Sequence, residues 1–198
     1  MTSAPLTTST VTLLTPPLAY VVMFGPLAIL LISSFTMRNP SPVGANLVYW
    51  SVVTLLGVGM GAIVYSCCRR SRTMMIIAKA FLITSAAFGG LSLWGYTTKR
   101  DLSGFGTFLI MGVIGLIIAS IVNMFIASSA LSFAISVIGV LVFAGLTAFD
   151  TQRLKFMYYQ LGGDQRAIAV GSTYGALSLY LNFINLFQFI LSFLTPRN

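Results

Sequence analysis

Six apolar stretches of roughly 20 residues each dominate this 198-residue chain, and they carry almost no charge. A helix of that length crosses the hydrocarbon core of a bilayer and satisfies its own backbone hydrogen bonds there. The composition agrees, because 57% of the residues are hydrophobic and 7% are charged, against about 25% charged in soluble domains. The sequence therefore predicts an all-α membrane protein with six transmembrane helices in one domain over residues 1–198, in contact with lipid. The predicted spans are about 17–37, 46–66, 76–96, 105–126, 130–149 and 173–194.

The basic residues explain the net charge of +8 without a nucleic-acid partner. They lie at the ends of the apolar runs, as is typical of membrane proteins, and form no basic stripe. We therefore expect no nucleic-acid binding. The side of the bundle opposite the two termini carries slightly more Lys and Arg. By the positive-inside rule that side is cytoplasmic, so both termini are expected outside. In this reading residues 150–172 form the one long loop.

Catalytic and metal-binding side chains are scarce. The chain has no His and no Glu. Its two cysteines, Cys67 and Cys68, are adjacent in sequence, and this geometry disfavours a disulfide between them. Two cysteines alone also cannot make a zinc site. They are interpreted as small residues at a helix end, with lipidation as the alternative. No serine has a convincing lysine base beside it, so we expect neither an enzyme nor a bound cofactor.

Small residues mark predicted contact faces between helices. Gly57 and Gly61 form a GxxxG pattern in the second span, and Gly89 and Gly90 belong to a similar pattern in the third. Helices in lipid approach one another closely where side chains are small. These four glycines are therefore predicted packing positions.

Asp150 closes the uncharged run 131–149 and is one of only three acidic residues. An ionisable group at the edge of a membrane span is costly, so it should face the bundle interior or a wet cavity and mark a functional site. Arg153 lies one helical turn further on and is a possible ion partner. In that alternative Asp150 only anchors a helix end.

Polar side chains form stripes on the last two predicted spans. The stripe on the fifth span ends at Asp150. The stripe on the sixth comprises Tyr174, Ser178, Asn182, Asn185, Gln188 and Ser192. Carboxamides on one face must meet protein or water inside a membrane, so we expect these two spans to pair with Asp150 near the amides. The alternative is that Asn185 and Gln188 only join helices by hydrogen bonds.

Three segments carry a resemblance to a known family: GALSLYLNFINLFQFIL at 175–191, FAGLTAFDTQRLK at 143–155 and GYTTKRDLSGFGTFLIMG at 95–112. The first two resemble the hallmarks of the Bax inhibitor family, and the third resembles its bacterial members, particularly the alphaproteobacterial ones. The resemblance covers about residues 20–194. It implies a bacterial inner-membrane protein with seven helices, the last of them central, so this chain looks like a member without the first helix.

The resemblance also implies a function. Some members are pH-sensitive Ca²⁺ leaks with two aspartates, at the positions of Asp150 and Asn182. Here the second acid is an amide, which removes a proton-sharing pair and weakens a Ca²⁺ site. Arg38 matches an arginine that pairs with these acids in the closed form. The resemblance thus implies a Ca²⁺ or cation leak in which Asp150 is a weak Ca²⁺ ligand and Ca²⁺ the transported ion. The alternative is a non-conducting regulator that binds membrane proteins, for example a membrane protease, or suppresses stress and cell death.

Overall fold

The structure, a computed structural model, describes residues 41–68 and 71–194, with side chains over 41–61 and 74–194. Within these residues it contains five helices, each apolar and long enough to cross a bilayer. The all-α membrane prediction is confirmed for this part. The predicted span 17–37 and Arg38 lie outside the described residues, so the count of six stays a prediction. The helices are α1 (Pro42–Cys68), α2 (Ser71–Thr97), α3 (Ser103–Ile126), α4 (Ser129–Gln160) and α5 (Gln165–Leu194).

The chain divides into two compact units between Met74 and Met75. In the first, α1 starts with Pro42, which suits the first helical turn because its missing N–H is not needed there. The Ser41 hydroxyl caps this helix by accepting a hydrogen bond from the Gly44 N–H at 3.1 Å. The single domain expected over residues 1–198 stays a prediction.

Helix α4 organises the second unit. It packs closely against both α3 and α5. Helix α2 also reaches it, since the Lys155 ammonium of α4 donates to the Tyr96 carbonyl at 2.8 Å, and α2 meets α5 through an edge-on contact of Phe88 with Phe183. The central position expected for the last helix stays a prediction.

Glycines allow the helices of this unit to approach one another. A Cβ on Gly95 would collide with the backbone carbonyl of Ala148, and one on Gly175 would collide with the Leu154 side chain. The glycines predicted as packing positions are different ones. Gly57, Gly61, Gly89 and Gly90 are exposed in the described residues, and their packing role stays a prediction.

The outer faces of the helices are apolar. Phe125 of α3 is 82% exposed, and Phe108 and Met124 of the same helix are nearly as open. Such a surface is unsuited to water and matches a lipid solvent. These exposed apolar faces support a lipid bilayer as the surroundings of the described helices.

The expected long loop at residues 150–172 is wrong. Helix α4 continues to Gln160 and α5 begins at Gln165, so only the turn Leu161–Asp164 connects them. The charged residues after Asp150 are compatible with a helix, because long basic side chains can extend along it toward polar surroundings. The turn is set instead by Gly162 and Gly163, which adopt φ values of +55° and +98°.

Candidate functional site

Asp150 lies within α4, against α5, and not at the end of its helix. Helical residues 151–160 follow it, so at 1.5 Å per residue about 15 Å of helix separates it from the end of α4. The residue is only 7% exposed. The carboxyl group is therefore enclosed by protein.

Two side chains of α5 donate to one carboxyl oxygen of Asp150. The Ser178 hydroxyl lies 2.5 Å from Oδ2, and the Asn182 amide nitrogen lies 2.8 Å from the same atom. Ser178 and Asn182 are four residues apart and so share a helix face. Distances this short are typical of hydrogen bonds to a charged acceptor. The expected proximity of Asp150 and Asn182 is thus present.

Close helix packing makes this geometry possible. Gly175 brings the backbone of α5 against Leu154 one turn from Ser178. Thr147, fully buried one turn before Asp150, donates its hydroxyl to the Phe143 carbonyl at 2.8 Å. Its donor is therefore used within its own helix, which is a common arrangement for buried threonine. The described donors to the carboxylate come from α5.

The electrostatics of the site are unusual for a buried carboxylate. Among the side chains that the structure describes, no Lys or Arg forms an ion pair with Asp150, and its neighbours Ser178 and Asn182 are neutral. Arg153 is exposed, whereas Asp150 is buried. The ion pair considered for Arg153 is not formed among the described side chains: the two residues are one turn apart on neighbouring positions of α4, but the arginine lies at the surface and the carboxylate is enclosed by α5.

The amide stripe of α5 divides into separate parts. Asn185 is half-buried and donates to the Leu181 carbonyl of its own helix at 2.8 Å. Gln188 and Ser192 line a cavity further along α5. Of the three amides, only Asn182 bonds to Asp150, so the stripe does not form one continuous site.

Gln152 is a residue that the sequence analysis missed. It is 3% exposed. Its Oε1 accepts from the Leu102 N–H at 2.9 Å, and its Nε2 donates to the Arg100 carbonyl at 2.8 Å. Gln152 thereby ties the α2–α3 connection to α4 two residues after Asp150. Its position inside the motif at 143–155 could have pointed to Gln152, but the residue lay in the stretch that was expected to be a loop.

The site offers oxygen atoms to a cation. Within the described ranges there is no group of three or more His, Cys, Asp or Glu side chains that could hold a metal ion. The Asp150 carboxylate and the Ser178 hydroxyl are hard oxygen groups, the kind that Ca²⁺ and similar ions prefer, whereas Asn182 turns its amide nitrogen toward the carboxylate. Both described hydrogen bonds reach Oδ2. The other carboxyl oxygen receives none from the described residues.

Comparison with known proteins gives the family. The family model described as inhibitor of apoptosis-promoting Bax1 matches residues 1–198. A protein of Caulobacter vibrioides is 57% identical over 177 residues, covering 89% of this chain and 69% of its own. A Rickettsia prowazekii protein is 44% identical over 179 residues, covering 89% and 72%. The inner membrane protein YbhL of Escherichia coli is 42% identical over 173 residues, covering 86% and 71%. With its apolar helices, this chain is a multi-pass membrane protein that belongs to the Bax inhibitor family.

Proposed function

We propose that this protein is a cation leak of the inner membrane, with Ca²⁺ as its main ion and Asp150 as the group that attracts it. The supporting observation is a buried carboxylate bonded by two neutral donors. The inner membrane is the location named for the E. coli relative. Ca²⁺ is here the cargo and not a resident cofactor.

The energetics favour a cation at this carboxylate. Transferring a carboxylate from water into a protein interior costs several kcal/mol after relaxation. A hydrogen bond to a charged group contributes about 1.5–3 kcal/mol. The two donors together offset about 3–6 kcal/mol of this cost, and a metal cation beside the carboxylate would add to the stabilisation. A proton and a metal cation both neutralise the Asp150 charge, so the two compete for the same oxygens.

Asn182 determines how this competition depends on pH. Two adjacent carboxylates would share a proton and titrate in separate steps. With an amide at 2.8 Å from the carboxylate, the described residues provide one titrating group. We therefore expect flux to follow a single protonation and to be weak, because a second acidic ligand is missing. Control by Arg38 stays part of the proposal.

Ca²⁺ flux into proteoliposomes at pH 6, 7 and 8 tests the proposal. We expect Asp150→Asn to lower the flux at least about tenfold, the factor that corresponds to 1.4 kcal/mol. Asn182→Asp should make the pH response steeper by restoring a second acid. Asp101→Asn is the matched control, since Asp101 is exposed in a connection. Undiminished flux in Asp150→Asn would exclude a path through this carboxylate.

The alternative is a non-conducting regulator of other membrane proteins, such as a membrane protease or a component of a stress or cell-death response. The observation that favours it is the amide at position 182, which leaves one carboxylate in the site. Absence of flux in the native chain, with a folded protein, would support this function. Purification from native membranes should then recover a stoichiometric partner.

A further inference from the structure

A second polar region lies at the other end of the α4–α5 contact. The described residues leave a cavity of about 290 Å³ there. Its polar lining comes from three helices: Ser120 and Asn123 of α3, Ser132 and Ser136 of α4, and Gln188 and Ser192 of α5. None of these side chains is charged. A cavity of this size and polarity has room for several water molecules.

Hydrogen bonds connect the helices that line this cavity, but the carbonyl oxygen of Asn123 accepts none from the described residues. The Asn123 amide nitrogen donates to the Ser132 hydroxyl at 2.6 Å, and the Ser136 and Ser192 hydroxyls are 3.1 Å apart. The Asn123 carbonyl oxygen is buried and has no hydrogen-bond partner in the described part of the chain. A buried acceptor without a partner costs about 1–3 kcal/mol, so a small side-chain movement that brings this oxygen to water or a cation in the cavity is favourable.

The antiparallel register places this cavity in line with Asp150. Ser136 contacts Ser192, and further along the same two helices Asp150 contacts Asn182. The separation of Ser136 and Asp150 along α4 is about 21 Å at 1.5 Å per residue. The two polar regions therefore lie at different depths along one helix pair.

An aromatic contact separates the two regions. Phe143 stacks on Phe189 with ring centroids 5.7 Å apart, and the Phe189 ring lies where a Cβ on Gly139 would be. Leu186 is fully buried beside them along α5. In the proposed leak this packed pair would act as a hydrophobic constriction, which excludes water from a path until it moves. Water in the cavity is thus kept from the carboxylate.

We propose that the cavity is a second, uncharged station for a hydrated cation, separated from Asp150 by the Phe143–Phe189 pair. The inference rests on the proposed function, because it concerns the same ion. Neutral oxygen atoms suit the role, since they replace part of a hydration shell while binding weakly enough to release the ion. The carbonyl oxygen of Asn123 is the first ligand.

Cysteine accessibility tests this station independently of flux. In a background with Cys67→Ser and Cys68→Ser, Ser192→Cys and Ser136→Cys are treated with a small cationic methanethiosulfonate, with and without Ca²⁺. Ile138→Cys is the matched control, because Ile138 is close in depth to Ser136 but is 50% exposed on an apolar face. We expect the cavity thiols to react at least about tenfold faster, since thiolates form only where water reaches the sulfur. Ca²⁺ should slow them several-fold.

The outcomes separate the station from the leak. Fast reaction that Ca²⁺ slows supports the station, even if the native chain passes no Ca²⁺ and the proposed function fails. Fast reaction that Ca²⁺ leaves unchanged overturns it and leaves a water cavity. Reaction no faster than that of Ile138→Cys in both cavity variants, with folded protein, also overturns it. If either overturning result is found while flux still depends on Asp150, the proposed leak is kept and only the second station is rejected.

Discussion

The two polar regions of the α4–α5 contact are built in opposite ways. Around Asp150 a charge is enclosed by converging donors, and Gln152 ties a neighbouring connection to the same segment. Around Ser136 there is no charge, the helices leave a cavity, and the Asn123 carbonyl oxygen stays without a partner among the described residues. One helix pair thus provides a rigid charged region and an open neutral one. Hydrogen-bond donors occupy the space around the first region, whereas the second keeps room for water.

A methyl group added to a packed glycine should lower the stability most near Asp150, where the backbones of α2 and α4 are in contact. Gly95→Ala places a methyl group on the Ala148 carbonyl, so α2 must move away from α4. We expect a loss of about 3 kcal/mol, the upper end for overpacking, measured by unfolding in a mild detergent.

The control for this prediction is Gly89→Ala on the same helix. Gly89 has open space around it. Alanine there should stabilise α2 by about 0.5–1 kcal/mol, because glycine is a poor helix former. Equal effects of the two substitutions would show that the close approach of α2 and α4 is not essential.

Loss of a donor should matter more beside the charge than beside the cavity. Asn182→Ala removes a hydrogen bond to a carboxylate, for which we expect about 1.5–3 kcal/mol, whereas Ser192→Ala removes a hydroxyl contact worth about 0.5–1.5 kcal/mol. The same unfolding measurement compares the two variants. Equal losses would show that the hydrogen bond from Asn182 is no stronger than that of Ser192, and the contrast between the regions would disappear.

Gln152→Ala should have a smaller effect that is confined to the Asp150 region. It removes two hydrogen bonds to backbone groups, and we expect a loss of about 1–2 kcal/mol. For a chain of this size that corresponds to a melting temperature lower by about 2–8 °C. Gln160→Ala, at the exposed end of α4, is the control and should leave the melting temperature unchanged. A similar change in both would show that the contact of Gln152 contributes nothing.

The smallest effect is expected at Asp101, outside both regions. The Ser103 N–H donates to its carboxylate at 2.8 Å, and this bond lowers the pKa of Asp101 below its ordinary value of 3.8. A lowered pKa means that the ionised form stabilises the fold. Its contribution is present above pH 3.8 and is lost as the pH falls below that value. Melting at pH 5 and pH 3 should differ slightly less in Asp101→Asn than in the native chain, and an identical pH response would refute this role.

The sequence predicted the helices and the central residue of the site for good physical reasons. Membrane helices are specified by apolar length, and a lone carboxylate such as Asp150 must be enclosed. The end of α4 was not predictable from charge, because Arg153 and Lys155 are compatible with a helix. It is set by the turn glycines Gly162 and Gly163, whose positive φ values suit only that residue type well.

Other parts of the site could not be predicted, because a polar stripe in the sequence does not show which residue each side chain contacts. The helical spacing of the amides was right, yet Asn185 bonds to its own backbone and Gln188 belongs to a different cavity. The role of Gln152 required knowing where the α2–α3 connection lies. Periodicity places a residue on a face, but it does not choose which neighbour that residue will meet.

The short turn Leu161–Asp164 has a consequence for how the protein is made. It joins α4 and α5 into a helical hairpin, and the Asp164 carboxylate starts the second helix by accepting from the Arg166 and Ala167 N–H groups. The partners of Asp150 are only 28 and 32 residues further along the chain. During synthesis the carboxylate can therefore meet both donors as soon as this hairpin enters the bilayer. These two hydrogen bonds therefore need no helix outside the hairpin.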